Sequence, residues 1–142
     1  RNISQGVGND QYPAWSYNGY LSFTHTSADS HISVMVWDGA ALTTVTDRPG
    51  TATIHIWSLD GQLAYIYRQG GITVIELWNR AEVRQIDSTL QNPSSLTWSA
   101  DGQLAWAARE SGSSEIYVWD GDSRSITQSR ANEYTPLWWI PP

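Results

Sequence analysis

The 142-residue chain contains no cysteine, no lysine, one phenylalanine and one methionine. Without cysteine there is no disulfide framework, no thiolate zinc centre and no cysteine nucleophile. The same absence suits an oxidising compartment without requiring one. All eight cations are arginine, which excludes a lysine Schiff base, and 14 Asp and Glu leave a net charge of -6. A phosphate-tracking protein needs a cationic face, so no nucleic-acid partner is expected. Charged residues make up only 15% of the chain, yet mean hydropathy is -0.40; Ser, Thr, Asn and Gln supply the polarity. No apolar run approaches the roughly 18 residues of a membrane-spanning helix, so no membrane insertion is expected. The opening Arg1-Asn2-Ile3-Ser4 does not read as a signal peptide. The length fits one domain.

What the chain has in excess is tryptophan, nine in all. Trp15, Trp57, Trp98 and Trp138 are separated by 42, 41 and 40 residues, and Trp37, Trp78 and Trp119 by 41 and 41. The segments WSLDGQLAYIY from Trp57 and WSADGQLAWAA from Trp98 share seven of eleven positions. WSYNGYLSFTH from Trp15 keeps the Trp, Ser, Gly and Leu. Twelve residues also separate Ile3, Val45, Ile86 and Ile126 from the four first-set tryptophans. A fixed period of about forty residues marks a repeat architecture.

Each repeat reads as four short strands. The first runs into Trp-Ser and ends at Asn18-Gly19, Asp60-Gly61 or Asp101-Gly102, where glycine takes positive φ without steric cost. The second follows at once (Tyr20–Phe23, Gln62–Tyr67, Gln103–Ala108). The third ends at Trp37, Trp78 or Trp119, and the fourth carries Val45-Thr46, Ile86-Asp87 or Ile126-Thr127. Segments this short, broken by Gly turns, leave no room for amphipathic helices. The fold class is all-β.

The pattern Trp-Ser-x-Asp-Gly-x-Leu-Ala, followed by Ile-Tyr-Val-Trp-Asp-Gly, resembles the TolB-type WD40-like repeat (the PD40 family). The likeness spans nearly the whole chain and is cleanest over Pro93–Gln128. Tyr17, Leu59 and Ala100 stand where the family usually has proline, and Asn79-Arg80 replaces one Asp-Gly. The resemblance implies a β-propeller of four-stranded antiparallel blades at 13–47, 53–87 and 94–128, one domain over 1–142. A partial strand lies at each end (2–5 and 135–140). Propellers close with about four to eight blades, and three would leave two apolar blade faces open. The expectation is therefore a homodimer, two three-blade chains forming one six-bladed ring; the other reading is a segment of a longer propeller.

Catalytic and metal readings are weak. His25 and His31 flank a loop containing Asp29, without a third strong ligand at metal spacing. His55, on an innermost strand, reads as a channel-facing or hydrogen-bonded core residue, since no Ser or carboxylate is placed to work with it. Asp38, Asp60, Asp101 and Asp120 recur at equivalent turns, which points to turn formation. Glu115, Asp120 and Asp122 lack the alternating ligand run of a calcium loop. No catalytic residue, metal or cofactor is expected.

The seven periodic tryptophans read as packing between blades. Trp106 and Trp139 fall outside the period and are candidates for an interface. Trp-Asp-Gly also occurs in fucose-binding propellers, but a second aromatic follows there, whereas Ala40-Ala41 and Asp122-Ser123 follow here. Loops between second and third strands share a rim with those between repeats. Arg68 and Arg109, five residues after Leu63 and Leu104, join Tyr12 and Tyr134 as candidate partner-binding residues, since Arg and Tyr often carry interface energy. The expected function is a non-enzymatic binding or scaffold module for a protein or peptide. A carbohydrate-binding lectin, or the propeller portion of a larger peptidase-type protein, are the alternatives. The family resemblance favours an extracytoplasmic location.

Overall fold

In a computed structural model of the protein, residues 2–4, 6–88, 91–110 and 112–139 are described. Twelve strands and no helix make up the described chain: β1 (Asn9–Trp15), β2 (Leu21–Thr26), β3 (Ile32–Trp37), β4 (Leu42–Thr44), β5 (Thr51–Trp57), β6 (Leu63–Gln69), β7 (Ile72–Trp78), β8 (Val83–Asp87), β9 (Gln91–Trp98), β10 (Leu104–Glu110), β11 (Ser113–Trp119) and β12 (Ser123–Ser125). They form three antiparallel four-stranded meanders, here units 1, 2 and 3. A single parallel bridge, Ile32 with Thr51, joins units 1 and 2, so the chain has one eight-stranded and one four-stranded sheet. Neither sheet closes into a barrel.

The turn after each first strand explains why serine follows tryptophan. Ser16, Ser58 and Ser99 are buried, and each hydroxyl accepts the backbone N–H of Tyr20, Gln62 or Gln103 at 2.8 Å. Ser58 and Ser99 also donate to Asp60 and Asp101. Of the turn residues only the glycine is left-handed, at φ 86°, 85° and 86° for Gly19, Gly61 and Gly102. This is a tight turn closed by one left-handed residue, a common three-residue hairpin loop. At the third-strand exits, Asp38 Oδ1 accepts from Ala40 and Ala41. Asn79 Oδ1 accepts in the same way from Ala81 and Glu82. Asn79-Arg80 thus builds the Asp-Gly turn with other residues, Arg80 taking φ 78°.

Strand alternation gives each unit two buried faces. Val34 and Val36 of unit 1 pack on Leu63, Tyr65, Tyr67, Val74 and Trp78 of unit 2. Ala64, Ile66, Ile75 and Leu77, on the other face of unit 2, pack on Leu104, Trp106, Ala108 and Tyr117 of unit 3. Each fully buried side chain of this size contributes about 1.5–3 kcal/mol. The core is therefore two layers between units.

Three expectations change. Trp106 is fully buried and stacks on Tyr117 with centroids 5.9 Å apart, so it is no surface anchor. It does belong to the repeat, as the counterpart of Phe23 and Tyr65, each two residues after the second-strand leucine. The fourth strands β4 and β12 stop short of Val45-Thr46 and Ile126-Thr127. There Thr46 and Thr127 instead turn their hydroxyls to accept from the backbone N–H groups of Val34 and Ile116. Finally, residues 2–4 and 135–139 form no strand; positions 5 and 140 of those expected strands lie outside the described residues. Ile3 nevertheless lines, together with Leu21 and Phe23, a shallow pocket of about 210 Å³ beside unit 1.

Candidate functional site

The first strand of every unit is bulged three residues before its tryptophan. Tyr12, Ile54 and Ser95 have φ 55°, 46° and 56°, and the pairing registers of β1 and β5 shift there. Thr135, three residues before Trp138, has φ 52° although it is in no strand. A bulge bends the strand and re-aims its side chains. Here it opens a cavity of about 590 Å³ between β1 and β5, lined by Tyr12, Pro13, Ile54 and His55 among others.

His55 is 8% exposed. Its ring lies beside the backbone carbonyls of Tyr12 and Ser22, yet burial dominates and holds its pKa below the ordinary histidine range. Its Nε2 and the Thr53 Oγ1 are buried without a hydrogen-bond partner. Proline occupies the equivalent of His55 in unit 1 (Pro13) and before Trp138 (Pro136), and leucine does so in unit 3 (Leu96). His55 breaks the repeat.

A second polar cluster was missed by sequence reasoning. Arg48, from the loop between β4 and β5, donates to both carboxylate oxygens of Glu76 at 2.6 Å and stacks 3.9 Å over the Tyr67 ring. Glu76 is buried. Burial opposes the guanidinium charge, but the hydrogen bond and charge of Glu76 outweigh it and raise the Arg48 pKa. Burial and then the neighbouring carboxylate push the Tyr65 phenol up, and its hydroxyl has no well-formed hydrogen bond. The pattern Val-Ile-Glu-Leu-Trp did offer one signal, a carboxylate at an inward position of an otherwise apolar strand.

The four expected partner-binding residues are scattered. Arg68 and Arg109 are exposed at matching positions near the ends of β6 and β10, opposite Thr51 and Gln91. Tyr12 lies within β1 and on the cavity wall, not in a rim loop. Tyr134 is exposed beside Glu133, whose N–H donates to the Ser114 carbonyl. Among the described residues no hydrogen bond or ion pair joins the four.

His25 pairs with Asp10 at 2.8 Å and His31 with Asp29 at 3.1 Å, so the two histidines serve different carboxylates. Glu115 is buried and receives Thr127 and Ser113, while Asp120 pairs with Arg124. Among the described residues no group of three His, Asp or Glu side chains is placed to hold a metal ion.

The tryptophans form a series between units. Trp57 Nε1 donates to Ala14 O at 3.3 Å and to Ser22 Oγ at 2.9 Å. Trp98 Nε1 donates to Ile56 O at 3.3 Å, and Trp138 Nε1 to Thr97 O at 3.2 Å. In each case the acceptor is the residue before the tryptophan of the preceding repeat. Trp37 and Trp78 meet Trp15 and Trp57 edge-on, at 6.4 and 6.2 Å.

No protein-family model matches the chain, and no curated protein is significantly similar to it.

Proposed function

We propose that this chain is a β-propeller-type binding or scaffold module without catalytic activity, and that two copies close one six-unit ring that engages a protein or peptide partner. The observation that carries the reading is the tryptophan series. Units 2 and 3 dock on their predecessors through one device, and Trp138 uses the same device again. An interface repeated three times in one chain is a template for further units. Apolar groups remain exposed at both ends of the array, including Trp15 at 62% and Trp139 at 80%. A partner surface is supported by the exposed Arg68 and Arg109, which two chains would multiply to four around one rim. The extracytoplasmic location belongs to this reading and rests on the repeat resemblance.

Light scattering after size exclusion tests the ring. A mass near twice 15.9 kDa, steady across concentrations, is the expected result. A monomer that unfolds cooperatively overturns ring closure. Glycan-array binding abolished by Trp15→Ala would replace the protein-partner reading with a lectin.

A further inference from the structure

We propose that the outer face of unit 3 is the ring-closing interface, and that residues 132–138 hold it in competition with the β1 strand of a second copy. The inference rests on the ring reading above and names the surface and the residues that exchange on it. Three observations carry it. The first is geometric. Trp138 donates to Thr97 as Trp98 donates to Ile56 and Trp57 to Ala14. Thr135 has the left-handed φ, 52°, that Tyr12, Ile54 and Ser95 share. Ser114 stands in unit 3 where Ile32 stands in unit 1, five residues before the third-strand tryptophan. Ile32 bridges Thr51 of the next first strand. The Ser114 carbonyl accepts the Glu133 N–H at 2.7 Å, and Asn132 Oδ1 accepts the Ser114 N–H at 3.0 Å. Residues 132–138 therefore dock on unit 3 as β5 docks on unit 1.

The second observation is the face beneath. Ala64 and Ile75 of unit 2 pack on unit 3. Their counterparts in unit 3, Ala105 and Ile116, are also buried, although no four-stranded unit lies against them among the described residues. The third is sequence. Asn132, Glu133, Pro136 and Trp138 occupy the positions of Asn9, Asp10, Pro13 and Trp15 in β1. At the acidic and proline positions unit 2 has Ala52 and His55, and unit 3 has Pro93 and Leu96. The segment matches β1 better than it matches either other first strand, so a face that fits the segment fits β1.

One face takes one first strand. The tether gives residues 132–138 an effective concentration of about millimolar, yet Leu137 stays exposed. A second copy brings the rest of unit 1 with its β1. Leu21 and Trp37 are the counterparts of Leu63 and Trp78, which pack toward the preceding unit, and the apolar area they bury opposes the tether. Each β1 then meets the other copy's unit 3, so the ring closes on two identical seams.

Sedimentation equilibrium of the full chain tests the exchange. Trp138→Ala is expected to tighten the dimer about tenfold, since it removes the competitor's hydrogen bond and ring burial. Glu133→Pro, which deletes the N–H that reaches Ser114, is the second variant and should tighten it about threefold. Trp15→Ala should weaken the dimer about tenfold or more in either background. A dimer no tighter in Trp138→Ala and Glu133→Pro than in the unmodified chain overturns the inference and leaves ring closure standing. If no chain associates, ring closure fails, and the peptide acetyl-Asn-Asp-Gln-Tyr-Pro-Ala-Trp-amide decides the face by itself. Saturable NMR shifts at the Trp98 and Ser114 amides of the Trp138→Ala chain would still assign that face to the β1 sequence. Their absence would overturn it.

Discussion

Trp138 donates its indole N–H to the carbonyl of Thr97 across 3.2 Å, 41 residues back along the chain. Thr97 precedes Trp98, which reaches back to Ile56, which precedes Trp57, which reaches back to Ala14. Trp15 stands at the head of the series with a largely exposed ring. The two ends of one motif therefore differ in energy. Trp57→Phe removes a donor from Ala14 and Ser22 and is expected to lower unfolding stability by about 1–3 kcal/mol. Trp15→Phe is expected to change it by no more than about 0.5 kcal/mol. Urea titrations of the two variants compare them directly, and equal losses would show that the indole donors add nothing to unit docking.

Glycines at one repeat position admit no side chain. Gly8 and Gly50 each lie seven residues before a first-strand tryptophan, at φ 153° and 150°. A Cβ at Gly50 would meet the Tyr67 ring and come within 2.8 Å of the Arg68 carbonyl oxygen; one at Gly8 would strike the equivalent carbonyl of Thr26. Gly70, in the turn between β6 and β7, has φ 57° and open space around it. Gly70→Ala should lower stability by about 1 kcal/mol, the cost of a left-handed L-residue. Gly50→Ala should exceed about 3 kcal/mol, because strain and a backbone clash add. Thermal unfolding of both variants distinguishes the two cases.

Glu76 is 5% exposed and depends on Arg48 for its counter-charge. Arg48→Met leaves the carboxylate buried and unpaired. The guanidinium side chain is itself 36% exposed, so solvent screening reduces the loss to about 1–3 kcal/mol, below that of a fully buried pair. Replacing both residues, Arg48→Met with Glu76→Leu, should recover much of it, since no charge then remains to desolvate. A double-mutant cycle by chemical denaturation measures the coupling. Additive losses would mean the pair is worth nothing as a pair.

Stability should fall with acid in two stages. The folded state holds His55 neutral by burial, so below about pH 6.5 the unfolded chain takes up a proton first and stability declines. A second decline follows below about pH 4. Asp60 is held down by hydrogen bonds from Ser58 and Gln62. In Asp10 burial works the other way, but hydrogen bonds from Ser4 and His25 outweigh it and lower the pKa. For both groups stability is present above the unfolded pKa and lost as pH falls through the lower folded one. Urea midpoints at pH 7.5, 5.5 and 3.5 resolve the stages. His55→Leu should abolish the first and keep the second; an unchanged upper stage would assign it to another group.

Much of the fold was legible because its signals are local. The Trp-Ser-x-Asp-Gly motif encodes a turn that closes through its own serine and glycine, and Asn79 substitutes for Asp38 by the same short-range geometry. Strand ends were less legible. Nothing near Thr46 or Thr127 in sequence reveals that each hydroxyl accepts a backbone N–H from a strand eleven or twelve residues away. The site was the least legible part. Sequence symmetry drew attention to Arg68 and Arg109, which recur, and read His55 only as a channel-facing or hydrogen-bonded core residue; Arg48 and Glu76, which do not recur, were passed over.

The sequence by itself determined the all-β class, the forty-residue period and the hairpin turns, because φ preferences, alternation and short-range hydrogen bonds act within a few residues. Only the tertiary structure decided which faces meet, that Trp106 is core, that Arg48 neutralises Glu76 across 28 positions, and that His55 is buried in the wall of a cavity. Those outcomes depend on desolvation. A group's access to water is fixed by segments distant in the chain, and only packing brings them together.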